Sequence, residues 1–391
     1  MRRSTGLARV AASAIADQPV VLPAVCMAVA ALAASAATLP AHAGTDGGVG
    51  GGATLLLWPA GPPEFGDLPG GGPGTTVNVD NLGSGHNAVR RIPGIAPGDF
   101  PVPLLRVGHW LVYNGANGAA AIRDDLTGPP RVLGRATFFV RAATPDRVWL
   151  VHADRSSSSP VSAQSVSVSS RRSQPALALP KQTAGVIEGS AAGLLLVSRS
   201  SELQLWRPGR APRTLTGLGA AMEGAGFASD ARLVAYGSGC RNDQATSGFP
   251  HLPVGYIACS RLNVIDVVTR THTAFAAPAG TAGWVPDGFG VEMAIAPGDR
   301  MLAAAAVLPP VGRGRARLFV LRLGHQSKPT PVPSSDSRLY ARTAWSPDGA
   351  WLFYQGPGVR LRLLDVASGR TYSSRIRCCQ YTAMLALKPT R

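Results

Sequence analysis

Short apolar runs separated by turn residues recur along the chain, and the clearest group occupies residues 344–369. Two apolar runs, 344–345 and 351–354, flank Pro347, Asp348 and Gly349. Proline presets φ, aspartate hydrogen-bonds its own backbone and glycine accepts a left-handed conformation, so this triplet predicts a hairpin turn. The alternating segment 361–365 predicts a third strand, followed by a second turn that ends at Gly369. The pattern therefore predicts one small antiparallel sheet.

Partial copies of this group occur upstream. The apolar second strand returns at residues 110–113, 145–150, 193–197, 229–236 and 297–302. The alternating third strand returns at residues 120–124 and 262–266, and each copy ends in aspartate as 361–365 does. Neighbouring copies lie roughly 40–50 residues apart, which is the spacing expected of propeller blades. The exception is one longer gap, which holds the segment between Cys240 and Cys259.

Radial stacking of these units explains why their strands are so apolar. A unit of about four strands cannot bury both of its faces alone, but sheets stacked around an axis cover one another. Six units can be identified in the sequence, and a seventh can be assembled from residues 382–388 together with 53–58, 76–80 and 86–91. The prediction is an all-β, seven-bladed β-propeller of four-stranded antiparallel blades, its ring closed by the N- and C-terminal strands. Six blades with stray terminal strands is the alternative.

The repeat resembles a known family. Trp345-Ser346-Pro347-Asp348-Gly349, followed by Leu-x-Tyr and then Leu-x-Leu-x-Asp-x-x-x-Gly, is similar to the repeat of TolB-type, WD-repeat-like β-propellers. The resemblance spans residues 76–391 and implies mainly a protein-binding platform. The His and Trp-Asp dipeptides of eukaryotic WD repeats are missing, so the narrower kinship is not supported.

The N-terminal residues have the composition of a secretory signal. Arg2, Arg3 and Arg9 precede an apolar stretch at 20–39, and Ala41-His42-Ala43 is a small-x-small cleavage site. We therefore expect a signal peptide over 1–43, with an uncleaved membrane anchor as the alternative. A Gly/Pro-rich leader at 44–75, with a strand at 53–58, then precedes the propeller at 76–391. The expected location is outside the cell or in the cell envelope.

Composition and charge add little about partners. Hydrophobic residues are 45% and charged residues 15%, and 46 Gly with 33 Pro favour many turns and short strands over helices. The formal charge is +16, which favours an anionic partner such as an acidic envelope polymer. The arginines are scattered singly, however, so coding bias in a GC-rich genome is the preferred explanation of this charge. We expect a monomer and no nucleic-acid partner.

Four cysteines follow the predicted signal peptide. An even number in an exported chain suggests disulfides. We predict a bond between Cys240 and Cys259 that closes the base of a long insert. The adjacent Cys378 and Cys379 would form either a strained disulfide or two free thiols.

No catalytic or metal-binding signature is found in the sequence. There is no Gly-x-Ser-x-Gly elbow, and the histidines are isolated, without a His-Glu-x-x-His pair. We therefore expect no enzymatic activity, cofactor or metal. Four aspartates sit at equivalent turns and are expected to stabilise them, namely Asp124, Asp266, Asp348 and Asp365. Trp110, Trp149 and Trp351 share a core position and are interpreted as packing residues.

The insert 241–258 is the best functional candidate. A long loop between the second and third strands of a unit often has a function beyond linking the strands. The alternative is that this insert is a family-specific ornament without a binding role. Its candidate partner-binding residues are Arg241, Asn242, Asp243, Phe249, His251 and Tyr256. We expect the chain to bind a protein or peptide through this insert; the alternative is a propeller that binds or cleaves glycans in its central channel.

Overall fold

The fold is described from a computed structural model of the protein. Residues 43–391 form one compact unit, and every described residue belongs to it. The described ranges are 53–59, 74–82, 87–93, 104–154, 159–190, 192–217, 227–229, 232–246, 253–285, 293–298, 300–309, 315–323, 328–338, 343–357, 360–377 and 382–387. The predicted signal peptide and the two cysteines Cys378 and Cys379 lie outside these ranges.

These ranges contain thirty strands and no α-helix. The first ten are β1 Thr54–Pro59, β2 Gly74–Asn81, β3 Asn87–Pro93, β4 Leu105–Val107, β5 Trp110–Gly115, β6 Gly118–Arg123, β7 Arg131–Gly134, β8 Phe138–Arg141, β9 Arg147–Ala153 and β10 Pro160–Ser167. The next ten are β11 Leu177–Ala178, β12 Thr183–Ser190, β13 Gly193–Ser198, β14 Glu202–Trp206, β15 Arg213–Gly217, β16 Phe227–Ser229, β17 Leu233–Thr246, β18 Pro253–Asp266, β19 His272–Ala276 and β20 Gly283–Val285. The last ten are β21 Ala294–Ile295, β22 Met301–Val307, β23 Arg315–Arg322, β24 Thr330–Pro331, β25 Ser337–Arg338, β26 Thr343–Trp345, β27 Trp351–Gly356, β28 Arg360–Asp365, β29 Thr371–Arg377 and β30 Thr382–Leu387. Within the described residues there is thus no helical segment with the length and hydrophobicity that a membrane crossing requires.

The described strands are joined by hydrogen bonds into six antiparallel sheets. Sheets 1 to 4 are four-stranded, with the orders β3-β2-β1-β30, β4-β5-β6-β7, β8-β9-β10-β11 and β12-β13-β14-β15. Sheet 5 has ten strands, β16 to β25, and sheet 6 has the order β26-β27-β28-β29. Sheet 5 consists of two groups, β16–β19 and β20–β25, joined where Cys259 of β18 pairs with Trp284 of β20.

Sheet 1 unites the two ends of the described chain. Strand β1 lies between β2 and β30, and its pairs with β30 run from Thr54 opposite Leu387 to Pro59 opposite Thr382. The same segments were grouped by the sequence pattern. All three leucines of β1, residues 55–57, are buried. Strand β1 is therefore part of the core.

The core is divided among seven hydrophobic clusters in the described residues. Six of the clusters are each formed mainly by two neighbours in chain order, either two sheets, a sheet and one group of sheet 5, or the two groups of sheet 5. The remaining cluster joins sheet 6 to sheet 1. Side chains alternate across each sheet: Leu55 and Leu57 pack against sheet 6, whereas Leu56 packs against sheet 2. Both faces are therefore covered, which is why the central strands lack polar alternation.

The turn predicted from Pro347-Asp348-Gly349 is formed as expected. Strands β26 and β27 pair on either side of it, with Trp345 opposite Leu352. Gly349 has φ +71° and donates its N–H to the Ser346 carbonyl at 2.8 Å. A Cβ at Gly349 would lie 2.9 Å from the Pro297 carbonyl oxygen in sheet 5, so glycine is needed there both for conformation and for space.

Candidate functional site

The insert between Cys240 and Cys259 extends two core strands. Strands β17 and β18 each have 14 residues and pair in one register, from Leu233 opposite Asp266 to Thr246 opposite Pro253. We call residues 240–246 and 253–259 the ribbon. The sequence predicted a long loop here. The structure instead continues the ladder through both flanks, since each strand supplies backbone hydrogen-bond partners to the other.

A disulfide ties the base of the ribbon. Cys240 and Cys259 are bonded, and their Cα atoms are 3.8 Å apart. They are directly opposed across β17 and β18, so the predicted pairing is confirmed. The preceding residue, Gly239, has φ +61°, and a Cβ there would lie 2.3 Å from Ser260 Oγ. Glycine therefore lets the backbone bend where the ribbon leaves the sheet.

The base of the ribbon is docked on strand β20. Cys259 pairs with Trp284, whose fully buried indole Nε1 donates to the Phe275 carbonyl at 3.1 Å. The same indole meets the Phe319 ring edge-on, with centroids 5.7 Å apart. One guanidinium nitrogen of Arg241 donates to the Ala282 carbonyl at 3.3 Å. These contacts fix the direction in which the ribbon leaves sheet 5.

The predicted partner-binding residues are distributed along this ribbon. Arg241 is exposed at the base. The backbones of Asn242 and Asp243 face Ile257 and Tyr256 across the ladder. Phe249 and His251 belong to residues 247–252, which lie outside the described part of the chain. The role of all six residues stays a prediction.

Three of the four predicted turn aspartates stabilise their turns directly. They accept backbone N–H groups from the following residues: Asp266 from Val268 and Thr269 at 2.8 and 3.0 Å, Asp348 from Ala350 at 3.0 Å, and Asp365 from Ala367 at 3.0 Å. The Ser368 hydroxyl bond lowers the pKa of the Asp365 carboxyl, and partial burial opposes this only in part. Their geometry is that of turn residues and not of acid–base catalysts.

Asp124 behaves differently from the prediction. Its carboxylate accepts from Arg106 of strand β4 at 3.3 Å and lies 3.8 Å from His109. The neighbouring Asp125 caps the turn instead, through the N–H of Thr127 at 2.9 Å. Two adjacent aspartates can exchange these roles when the turn shifts by one residue, and the sequence alone does not distinguish them.

The three predicted packing tryptophans are partly buried at the borders of core clusters. Trp110, Trp149 and Trp351 each pack against a different cluster. The Arg131 guanidinium carbon lies 4.3 Å from the Trp110 ring centroid, and Trp351 contacts Tyr372 with centroids 5.6 Å apart. The packing role is thus supported, although each ring also reaches the surface.

A polar network that the sequence did not suggest surrounds Asn263. This buried side chain donates through Nδ2 to Ser238 Oγ at 2.7 Å, and its Oδ1 lies 3.3 Å from His272 Nε2. The His272 ring stacks on Tyr236, with centroids 6.5 Å apart and an interplanar angle of 13°. Burial raises the pKa of the Tyr236 hydroxyl, with a smaller opposing effect from its hydrogen bond to Thr216. In the described ranges, no three His, Cys, Asp or Glu side chains are grouped to hold a metal ion.

Comparison with known proteins finds similarity in structure only. No protein-family model and no curated protein matches the sequence. The computationally designed Ika8 protein is 12% identical, with a TM-score of 0.44 over 77% of this chain and 83% of that chain. Apo AztD from Citrobacter koseri is 13% identical, with a TM-score of 0.43 over 86% and 97% of the two chains. The β-propeller domain of Cps50 (Swd1) from Myceliophteria thermophila is 10% identical, with a TM-score of 0.39 over 70% and 85%.

Proposed function

We propose that this chain is an exported, non-enzymatic β-propeller that binds a protein or peptide through its ribbon. The proposed ring has seven blades: sheets 1 to 4, the two groups of sheet 5, and sheet 6. The seven core clusters support this ring, because each joins consecutive blades and one joins sheet 6 back to sheet 1. The β1–β30 pairing would then close it.

The ribbon would project from the edge of the ring that carries the links between blades. Strand direction alternates within β16–β19, so the β17–β18 turn and the exit from β19 lie at the same end of this group. Six residue pairs, from Arg241 opposite Ala258 to Thr246 opposite Pro253, continue beyond the disulfide. At about 3.4 Å per residue they would reach roughly 20 Å from the sheet.

Strand addition is the binding mode that the ribbon favours. Beyond the disulfide, neither edge of the ribbon has a further strand partner in the described part of the chain. An extended peptide can pair with such an edge and gain main-chain hydrogen bonds. The disulfide and the docked Trp284 support this mode, since a ribbon held in one direction loses less entropy on binding.

Export is supported by two independent features. The disulfide is of the kind that persists in an oxidising compartment. The first 43 residues have the order of a basic segment, an apolar segment and a small-x-small site.

A shortened ribbon tests the proposal. Residues 243–256 are replaced by Asn-Gly, which closes a two-residue hairpin and keeps both cysteines and the buried Ala258. A photo-crosslinking residue at Phe249 is compared with one at Val132, which is 52% exposed on strand β7. We expect a discrete protein or peptide adduct from the envelope fraction at position 249 only. In a separate affinity pull-down without a crosslinker, the chain with the intact ribbon should retain this partner and the shortened variant should not. Capture that is unchanged by the shortening would refute the proposal.

A further inference from the structure

A small basic cleft lies at the opposite end of strand β18 from the ribbon. It is formed between strand β15 of sheet 4 and the end of β18 with the start of β19 in sheet 5. Its volume is about 120 Å³, several times the space that one water molecule needs. The polar residues that line it are Arg213, Thr214, Thr216, Arg270 and His272. We infer that this cleft binds a tetrahedral oxyanion, namely a phosphate or sulfate group.

The two guanidinium groups of the cleft are available for a ligand. Neither Arg213 nor Arg270 forms an ion pair with a carboxylate in the described part of the chain. The nearby carboxylate of Asp266 is occupied by Arg232, whose Nε and terminal nitrogen lie 2.8 and 2.7 Å from Oδ2. An arginine fork without a carboxylate partner matches the oxygen spacing of a phosphate or sulfate group.

Glu202 and Asp266 are the described carboxylates that contact residues at the cleft, and both accept hydrogen bonds. Glu202 accepts from the Thr214 hydroxyl at 3.3 Å and from Gln204 at 2.9 Å. Asp266 is held ionised: burial alone would raise its pKa, but the bonds from Arg232 and from two backbone N–H groups lower it overall. Asp266 is neutralised by Arg232, whereas Glu202 bonds only neutral groups and keeps its negative charge beside Thr214. Arg213 and Arg270 together still exceed that charge by one positive unit.

His272 is held in place beside these arginines. Asn263 donates through Nδ2 to Ser238, so its Oδ1 faces His272 Nε2, and this ring nitrogen carries a proton. Stacking on Tyr236 restricts the ring further. Nδ1 then has no hydrogen-bond partner in the described ranges. The hydroxyls of Thr214 and Thr216 already donate to Glu202 and to the Gly217 carbonyl. The donors left for a ligand are therefore the guanidinium N–H groups of Arg213 and Arg270, one from each sheet.

Arg270 occupies a strained backbone position in the turn. Its φ is +66°, and its N–H donates to the Asp266 carbonyl at 2.7 Å. The equivalent turn of sheet 6 has glycine there: Gly369 has φ +69° and donates to the Asp365 carbonyl at 2.8 Å. In sheet 3 the equivalent residue is Arg171, with φ +59° and a bond to the Ser167 carbonyl at 2.9 Å. Among the described residues, two arginines are therefore left-handed, and of these Arg270 lines the cleft.

This pair of arginines provides a matched test. The R270G substitution removes a cleft guanidinium, and R171G makes the same change in charge and backbone away from the cleft. Glycine suits both turns, so neither variant should lose its fold; thermal unfolding and circular dichroism verify this. The purified full chain is titrated by calorimetry at constant ionic strength with inorganic phosphate, with sulfate and with glucose 6-phosphate.

We expect saturable binding by the wild type, weakened tenfold or more in R270G and less than twofold in R171G, because a charged hydrogen bond is lost only in the former. Preference for glucose 6-phosphate would identify a phosphate ester as the ligand, whereas equal binding of the inorganic ions would identify the free anion. No saturable binding of any of the three, or equal weakening in both variants, would overturn the inference. The ribbon and its partner take no part in this test, so its outcome is independent of the proposed function.

Discussion

The contact between the Gly349 turn and sheet 5 can be measured with a pair of glycine substitutions in sheet 6. Gly349 and Gly369 have nearly equal φ values, +71° and +69°. A Cβ at Gly369 would meet nothing within 4 Å, whereas one at Gly349 would lie 2.9 Å from the Pro297 carbonyl oxygen. G369A therefore reports the left-handed backbone strain alone, about 1–2 kcal/mol. G349A adds the steric conflict with sheet 5, about 1–3 kcal/mol more.

The assay is equilibrium unfolding in guanidinium chloride, followed by tryptophan fluorescence and by far-UV circular dichroism. Coincident transitions by the two probes would justify a two-state free energy for each variant. We expect the loss of stability in G349A to exceed that in G369A by at least about 1 kcal/mol. Equal losses would mean that the turn does not press against the neighbouring sheet, and the stacking of sheet 6 on sheet 5 would need revision.

Three further measurements follow from the same packing. Replacing Cys240 and Cys259 together by serine should lower the free energy of unfolding by about 2–4 kcal/mol. If reducing the wild-type protein left its free energy of unfolding unchanged, this would contradict the disulfide between them. Leu56→Ala should cost about 2–5 kcal/mol because this side chain is fully buried between sheets 1 and 2, whereas Val89→Ala, at a residue 62% exposed, should change stability by less than about 0.5 kcal/mol. The folded-state pKa of Asp266 is lowered, so its stabilising contribution is present above the unfolded pKa of about 4 and is lost as pH falls through the folded value. Urea unfolding from pH 7 to pH 2 should therefore show a smaller acid-induced loss for D266N than for the wild type, and identical pH profiles would refute this assignment.

The local elements of the fold could be read from the sequence. Apolar strand patterns and turn triplets are set by residues adjacent in the chain, so they can be recognised without knowledge of the tertiary structure. The strands and the turn of 343–365 accordingly form as predicted. The Cys240–Cys259 pairing followed because these two cysteines bracket the one long insert. The association of residues 54–59 with 382–387 was also predictable, since joining the terminal strands in one unit leaves fewer unpaired sheet edges.

The tertiary structure decided which side chains meet across those elements. The sequence predicted a loop at 241–258. Residues 241–246 are mostly polar and show no apolar alternation, yet they continue the β17–β18 pairing beyond the buried part of these strands. The basic cleft was likewise hidden: Arg213 and Arg270 lie far apart in sequence, and both look like ordinary surface arginines. Periodicity specifies which face of a strand is buried, but not which residue of the next sheet will oppose it. That choice depends on the register and distance between sheets, which are set by packing of the whole core.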